Sequence, residues 1–135
     1  MMRPRFLLVL ALCLCACRRA EMAMPNAFPS TVGEWNRTSL ADLPAAQPPD
    51  AVPAASIERI RAAAYEGQGK LDARIYQLTN SAVALDVAQR WTPAGDTVTF
   101  PADRFFVVVK WQAADRKALQ GFLRELEKRF PAKKE

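Results

Sequence analysis

After Ile57, hydrophobic residues recur either at every second position, which is typical of a β-strand, or at every third or fourth position, which is typical of an α-helix. Apolar residues alternate with polar ones on both sides of the loop Glu66–Gly69, which contains two glycines. This pattern predicts a β-hairpin with strands at about 57–65 and 71–76. Apolar side chains then recur every three or four positions over 82–91, which predicts a short amphipathic helix.

The same order of elements follows a second time. Thr97–Phe100 alternates as a strand, a turn is expected at Pro101–Asp103, and Arg104–Trp111 contains five consecutive β-forming residues that indicate burial on both faces. Residues 115–130 place five large apolar side chains on one helical face. We therefore expect an α+β fold with a four-stranded, mainly antiparallel sheet in β-β-α-β-β-α order and both helices on one face.

A different pattern occupies the first seventeen residues. Two arginines precede an apolar stretch at 6–16, as in a secretory signal peptide. Leu14–Cys17 ends this stretch and resembles the lipobox of bacterial lipoproteins. The resemblance implies cleavage between Ala16 and Cys17 and attachment of acyl chains to the Cys17 thiol, which would hold the protein on a membrane. An ordinary signal peptide cut after Ala16 or Ala20 is the alternative.

Changes in composition divide the chain into four predicted parts. These are a signal peptide at 1–16, a Pro- and Ala-rich tether at 17–55, a folded domain at 56–131 and a basic tail at 132–135. Six prolines in the tether disfavour helix and favour extended chain. Its segment 28–39 is more apolar than a bare linker, because it contains Phe28, Val32 and Trp35. This segment either forms a short edge strand or docks on the domain, or it belongs to the extended tether.

The amino-acid composition excludes several kinds of catalytic and metal-binding site from the domain. The chain has no histidine, and its three cysteines, Cys13, Cys15 and Cys17, all lie near the start. Histidine triads, histidine metal sites and thiolate nucleophiles in the domain are therefore excluded, and we expect no metal and no cofactor. Loss of Arg3 and Arg5 with the signal peptide leaves 17 basic and 14 acidic residues, a net charge of +3. Export from the cytoplasm argues against a nucleic-acid partner.

Polar and aromatic residues of the strands suggest a binding face. Alternation places some of them opposite the apolar positions expected under the helices, and the continuous apolar strand must also present a row on that side. The candidate face consists of Tyr65, Asp72, Arg74, Tyr76, Phe105, Val107 and Trp111. A solvated face stabilised by cross-strand pairs is the alternative for its polar members. The apolar row requires a cover, either a partner or the segment 28–39.

Three further features have competing interpretations. Trp91, at the end of the first helix, either seals an edge of the core or stacks on a ligand. Glu66 and Asp86 lack a second titratable group at a recognisable spacing, so we predict no enzymatic activity. Four basic residues, Lys128, Arg129, Lys133 and Lys134, either meet an anionic surface or form a solvated helix end that suits the helix dipole.

Four segments carry a resemblance to a protein family: Phe28–Trp35, Tyr65–Gly67, Ala84–Trp91 and Phe105–Trp111. Together they resemble small bacterial envelope lipoproteins, of the acidobacterial type, that have no assigned activity. The resemblance implies a lipid-anchored protein of the cell envelope that faces the periplasm, on either the inner or the outer membrane.

The expected function is therefore non-catalytic. We expect a small domain that binds an envelope protein or a glycan. The alternatives are a structural or assembly subunit of an envelope complex and, less favoured, an envelope enzyme that uses carboxylates. The sequence leaves the oligomeric state open.

Overall fold

The computed structural model describes residues 24–130. The predicted signal peptide, Cys17 and the basic tail at 132–135 lie outside this range. The described part contains six strands and two α-helices, with a short 3-10 turn, Ala54–Ser56, before the third strand. In chain order they are β1 (Thr31–Val32), β2 (Trp35–Leu43), β3 (Ile57–Gly67), β4 (Gly69–Leu78), α1 (Ser81–Arg90), β5 (Thr97–Ala102), β6 (Phe105–Gln112) and α2 (Arg116–Glu127).

All six strands form one antiparallel sheet in the order β1-β2-β3-β4-β6-β5. The predicted α+β class is confirmed, but the expected four strands are wrong. The two additional strands, β1 and β2, come from residues assigned to the tether, and both begin within the segment 28–39, for which a short edge strand is one of the alternatives. In β2 only Trp35 is buried, and the pairing with β3 shifts register between Arg37 and Ser39. An edge strand with one buried residue and a bulge has no period-two signal.

The turn between β3 and β4 depends on a glycine. Gly69 has a φ of +119°, a conformation that residues with a side chain rarely adopt. A Cβ at this position would also lie 2.7 Å from the carbonyl oxygen of Ala113. The turn therefore brings the end of β6 close to the hairpin, and the Asp115 N–H, just before α2, donates to the carbonyl of Gln68.

One helix covers each face of the sheet, so the expectation that both helices share a face is wrong. Phe122 of α2 packs in a cluster with Ile75 and Val107, whereas Val87 of α1 packs in a second cluster with Phe106. Successive residues of β6 point to opposite faces, and all five from Phe105 to Val109 are buried. Two apolar faces need two covers, and each amphipathic helix supplies one.

The segment before β2 completes the cover on the α2 side. Phe28 and Trp35 are almost fully buried there. The Trp35 indole N–H donates to the carbonyl of Ala118 in α2 at 3.0 Å. Trp35 and Tyr65 pack edge-on against Phe122, with ring centroids 6.3 and 5.0 Å away. The apolar row of β6 is thus covered by α2 and by the chain's own N-terminal segment.

Side-chain caps define where both helices begin. Asn80 accepts a hydrogen bond from the Val83 N–H, and Asp115 accepts one from the Ala118 N–H. The second helix is shorter than predicted and ends at Glu127. Within residues 24–130, neither helix has the length and apolar character needed to cross a bilayer.

Candidate functional site

We call the sheet face that α1 covers the α1-side face and the opposite one the α2-side face. A groove of about 350 Å³ occupies the part of the α1-side face that α1 leaves open. It lies next to the β3–β4 turn, and its walls come from β2, β3, β4, β6 and the loop before β5. Polar side chains dominate the lining: Thr38, Glu66, Lys70, Asp72, Asp96, Lys110 and Gln112. Ala64 forms part of its floor. The groove is therefore an open, charged depression rather than an apolar pocket.

A buried carboxylate lies beside this groove. Asp50 is in the loop between β2 and the 3-10 turn, and its side chain is only 1% exposed. Arg74 of β4 donates to both carboxylate oxygens, from Nε at 2.6 Å and from Nη2 at 2.8 Å. The Tyr76 hydroxyl donates to Oδ2 at 2.5 Å, and Lys110 Nζ lies 3.7 Å from Oδ1. Asp50 thus joins its loop to β4 through charge-assisted hydrogen bonds and approaches β6 through the ion pair with Lys110.

These contacts determine the protonation states of the cluster. Burial alone would raise the pKa of Asp50, but hydrogen bonds from Arg74 and Tyr76, with the charges of Arg74 and Lys110, outweigh it and lower that pKa. Burial would lower the pKa of Arg74, and Asp50 raises it instead. The pKa of Tyr76 is raised, first by burial and then by its hydrogen bond to Asp50. At neutral pH the cluster therefore holds a carboxylate, a guanidinium and a neutral phenol.

The arrangement gives the groove fixed charges of both signs. Arg74 is directed at Asp50, and Lys110 both approaches Asp50 and lines the groove. Lys70 and Asp72 are exposed on the same side of β4 and are free to meet a ligand. Within residues 24–130 no three acidic or cysteine side chains are grouped closely enough to hold a metal ion.

The predicted binding-face residues do not share one face, so that expectation is wrong. Tyr65, Phe105 and Val107 are buried on the α2 side. Asp72, Arg74 and Tyr76 do share the α1 side, but Tyr76 is fully buried against Phe106 and its neighbours. Trp111 is half-buried against the α2-side cluster and reaches the groove at the end of β6. Strand register explains the division, because Tyr65 is paired with Leu71, one position away from Asp72.

Trp91 and Asp86 lie at a second hollow, of about 240 Å³, between the end of α1 and the loop at 51–53. The Trp91 ring is 5.5 Å from that of Phe106, so it packs at the edge of the α1-side core while also lining the hollow. Asp86 pairs with Arg90 at 3.1 Å. Asp86 is thus separated from Glu66 and Asp72, which both line the groove.

Sequence reasoning missed Asp50, Lys70 and Lys110 as site residues. Asp50 follows two prolines in a stretch without periodicity, so nothing local marked it. An available signal was Arg74, a charged residue in the middle of a strand between Ala73 and Ile75. A charge at such a position requires a nearby counter-charge, and a search for its partner would have pointed to an acidic residue elsewhere in the chain.

No protein-family model, curated protein or solved structure matches this chain. The resemblance to small envelope lipoproteins therefore stays a prediction. Ala16 and Cys17, the predicted cleavage and lipidation residues, lie outside the described range. What defines the protein structurally is an α+β domain with one closed sheet face and one half-open face that carries a charged groove.

Proposed function

We propose that this chain is a lipid-anchored protein of the bacterial cell envelope, cleaved before Cys17, whose domain binds a glycan in the charged groove. The observation that carries the binding proposal is the open polar half of the α1-side face, which lies beside the cluster in which Arg74 and Tyr76 donate to both oxygens of Asp50. The lipobox resemblance of Leu14–Cys17 supports the anchor.

The chemistry of the groove favours a ligand rich in hydroxyl groups. Lys70, Lys110 and Gln112 offer donors, whereas Glu66 and Asp72 offer acceptors. A sugar hydroxyl both donates and accepts, so it can use neighbouring side chains of opposite sign. Small-molecule pockets are mostly apolar, and this lining is not. A glycan of the cell wall is the ligand class that combines this chemistry with the proposed location.

The geometry supports binding rather than catalysis. Asp50 is the most buried carboxylate near the groove, but Arg74 and Tyr76 occupy both of its oxygens and hold it charged. A general acid or base needs an open position towards the substrate and a pKa near the working pH. Asp50 has neither property, and its role is to position β4 and the loop before β3.

The mass of the mature protein tests the anchor. We expect protein purified from membranes to begin at Cys17 and to carry acyl chains, because one chain alone holds a protein only weakly and two or three hold it firmly. A Cys17→Ser variant should lose the acyl mass and leave the membrane fraction. Native protein that starts at Met1 and stays in the soluble fraction would refute the anchor.

Co-sedimentation with insoluble cell-wall glycan tests the groove. Lys70→Ala and Asp72→Ala should each weaken binding about tenfold, the effect of losing one hydrogen bond to a charged group. Lys117→Ala and Asp86→Ala remove the same charges elsewhere on the exposed surface and should bind like the wild type. Equal binding by all four variants would refute the groove as the binding site.

The outer edge of β2 favours a second candidate, an assembly subunit of an envelope complex. Beyond the short pairing of β1 with Trp35 and Asn36, no described strand pairs with the outer side of β2. Leu40 on this edge is 45% exposed. An open strand edge can accept a strand from a neighbour. Leu40→Pro should then abolish co-purification of stoichiometric neighbours while leaving glycan binding intact.

A further inference from the structure

We propose that one end of the domain rests on anionic lipid headgroups, so that the groove points away from the membrane. This basic end consists of Arg124, Lys128 and Arg129, at and just after the end of α2. The same stretch holds Glu125, which pairs with Lys128 at 3.1 Å, and Glu127, so its net charge is +1. The inference rests on the proposed anchor at Cys17 and adds an orientation to it. The occupant is a phospholipid surface with negative headgroups.

The first and last described residues, Met24 and Phe130, both lie at the basic end. Arg129 Nη1 donates to the carbonyl of Asn26 at 3.3 Å. Met24 is buried in the α2-side cluster together with Phe130. The Phe130 ring packs against Phe105, with centroids 5.9 Å apart. The two limits of the described range therefore lie close together at this end of the domain.

The distance from the anchor to this end is short. Only residues 18–23 separate Cys17 from Met24, and seven Cα–Cα steps span at most about 25 Å. The sequence pattern suggested a tether that reached residue 55, but Met24, Phe28 and Trp35 are already packed in the core. The domain is therefore confined near the headgroups instead of moving freely on a long linker.

The net positive charge of the mature chain comes from the sequence segments that flank residues 24–123. Residues 24–123 contain ten basic and ten acidic residues and are neutral overall. The flanking segments 18–23 and 124–135 contain seven basic and four acidic residues, so they hold the whole net charge of +3. Lysine and arginine attract anionic headgroups only within a short distance of the surface, which the short link provides.

The groove lies at the other end of the domain. It adjoins the β3–β4 turn, and α2 runs from that turn, where the Asp115 N–H bonds to Gln68, to the basic end. Strand β4, which starts at the same turn, has ten residues and a length of about 33 Å. With the basic end on the bilayer, the groove is directed outwards, where a cell-wall glycan would be met.

Fluorescence quenching by a headgroup-attached nitroxide lipid tests this orientation. The native cysteines lie at or before residue 17, so in the acylated mature protein an introduced cysteine is the only free thiol. Glu127→Cys places a label at the basic end. Gly95→Cys places one near the groove, at an exposed position where a Cβ meets no atom within 4 Å. The lipidated protein is incorporated into phosphatidylcholine vesicles with or without one third phosphatidylglycerol.

On vesicles with phosphatidylglycerol, we expect the label at 127 to be quenched several-fold more than the label at 95. The difference should shrink at about 1 M salt, where the Debye length is only about 3 Å. It should also shrink when Lys128, Lys133 and Lys134 are all changed to Glu. A matched variant with Arg90, Arg116 and Lys117 changed to Glu alters the net charge equally at other exposed sites and should keep the difference.

The outcomes separate the orientation from the anchor. The orientation would be overturned if an acylated protein showed equal quenching at 95 and 127. It would also be overturned if the quenching did not change after charge reversal at the basic end. Neither result would contradict the anchor. Protein whose mass shows no acyl chains would overturn the anchor and, with it, the orientation.

Discussion

The two faces of the sheet differ in how far their apolar surface extends. On the α2 side, Leu71, Ala73 and Ile75 are buried along the whole of β4. On the α1 side, the same strand changes from the buried Tyr76 and Leu78 to polar residues towards the hairpin. On the α2 side, β4 therefore contributes to the core along its length. On the α1 side, the core ends partway along β4 and the groove begins there.

Asp50 lies at that boundary. Its carboxylate accepts hydrogen bonds from Arg74 and from Tyr76. On the α1 side of β4, Tyr76 belongs to the apolar core, and Arg74 is the next residue on that side towards the hairpin. The closed face obtains its stability from apolar packing, whereas the half-open face needs an ionic cluster where packing ends. Comparison of the faces thus predicts large packing effects on the α2 side and charge-dependent effects on the α1 side.

Truncating the N-terminal cover should have the largest effect on stability. Trp35→Ala removes a buried ring that contacts Phe122 and bonds to Ala118, and we expect a loss of about 3 to 5 kcal/mol. Leu40→Ala, on the same strand but 45% exposed, should cost less than about 0.5 kcal/mol. Urea unfolding measures both. A cost below about 1 kcal/mol for Trp35→Ala would show that the segment is a detachable cover.

Breaking the ionic cluster should have the next largest effect. Asp50→Ala leaves the Arg74 guanidinium and the Tyr76 hydroxyl without their acceptor, and we expect a loss of about 3 kcal/mol. Asp42→Ala removes a carboxylate from an exposed pair with Arg61 and should cost less than about 1 kcal/mol. Equal losses in the two variants would contradict the role of Asp50 at the boundary.

The cluster should also give the protein a specific acid sensitivity. Because the folded pKa of Asp50 is below its usual value of about 3.9, its carboxylate stabilises the fold above about pH 4. That contribution is lost as the pH falls through the folded pKa. The difference in unfolding free energy between the wild type and Asp50→Asn should therefore shrink below about pH 4. A difference that stays constant well below about pH 4, through the acid range in which Asp50 becomes protonated, would contradict this assignment.

Removing one hydroxyl from the α2 side should have a smaller effect with the opposite pH dependence. Tyr65→Phe loses the hydrogen bond to the Pro29 carbonyl, at 2.8 Å, and should cost about 1 kcal/mol. Burial raises the pKa of Tyr65 to about 12. Its neutral form therefore stabilises the fold below about pH 10, and this contribution is lost as the pH rises through 12. Unfolding at alkaline pH should depend less steeply on pH in the variant, and an unchanged slope would contradict burial of this hydroxyl.

Changes at the groove should have the smallest effect on stability. Lys70→Ala and Asp72→Ala alter exposed residues and should shift the unfolding free energy by less than about 0.5 kcal/mol. Thermal unfolding of the variants used in the glycan-binding assay provides the comparison. A loss above about 2 kcal/mol in either would assign the groove residues to the fold rather than to a ligand.

Regular periodicity made part of the fold predictable. The hairpin of β3 and β4, both helices and the buried strand β6 follow from alternation or helical spacing over many residues. β5 continues through Pro101, where a turn was expected, because a proline is tolerated on an edge strand. β2 was not predictable in this way, since its one large buried residue, Trp35, gives no period.

The positions of the helices and the site depended on contacts between distant parts of the chain. The five consecutive apolar residues Phe105–Val109 indicate that both faces of β6 are buried. Because two buried faces each need a covering element, the sequence could also have predicted one helix on each face. The pairing of Asp50 with Arg74 joins residues 24 positions apart across a proline-rich loop. Tyr65 was assigned to the wrong face because strand register, not alternation within one strand, decides which residues of two strands share a side.

Amide chemical-shift mapping by NMR tests directly whether the open half of the α1-side face is a binding site. The mature chain with Cys17→Ser would be titrated with soluble fragments of cell-wall glycan. We expect shifts confined to the groove, at 64–72 and 110–112, with the α2 side unchanged. Shifts centred on the α2 side or on the hollow beside Trp91, or no shifts at all, would contradict it.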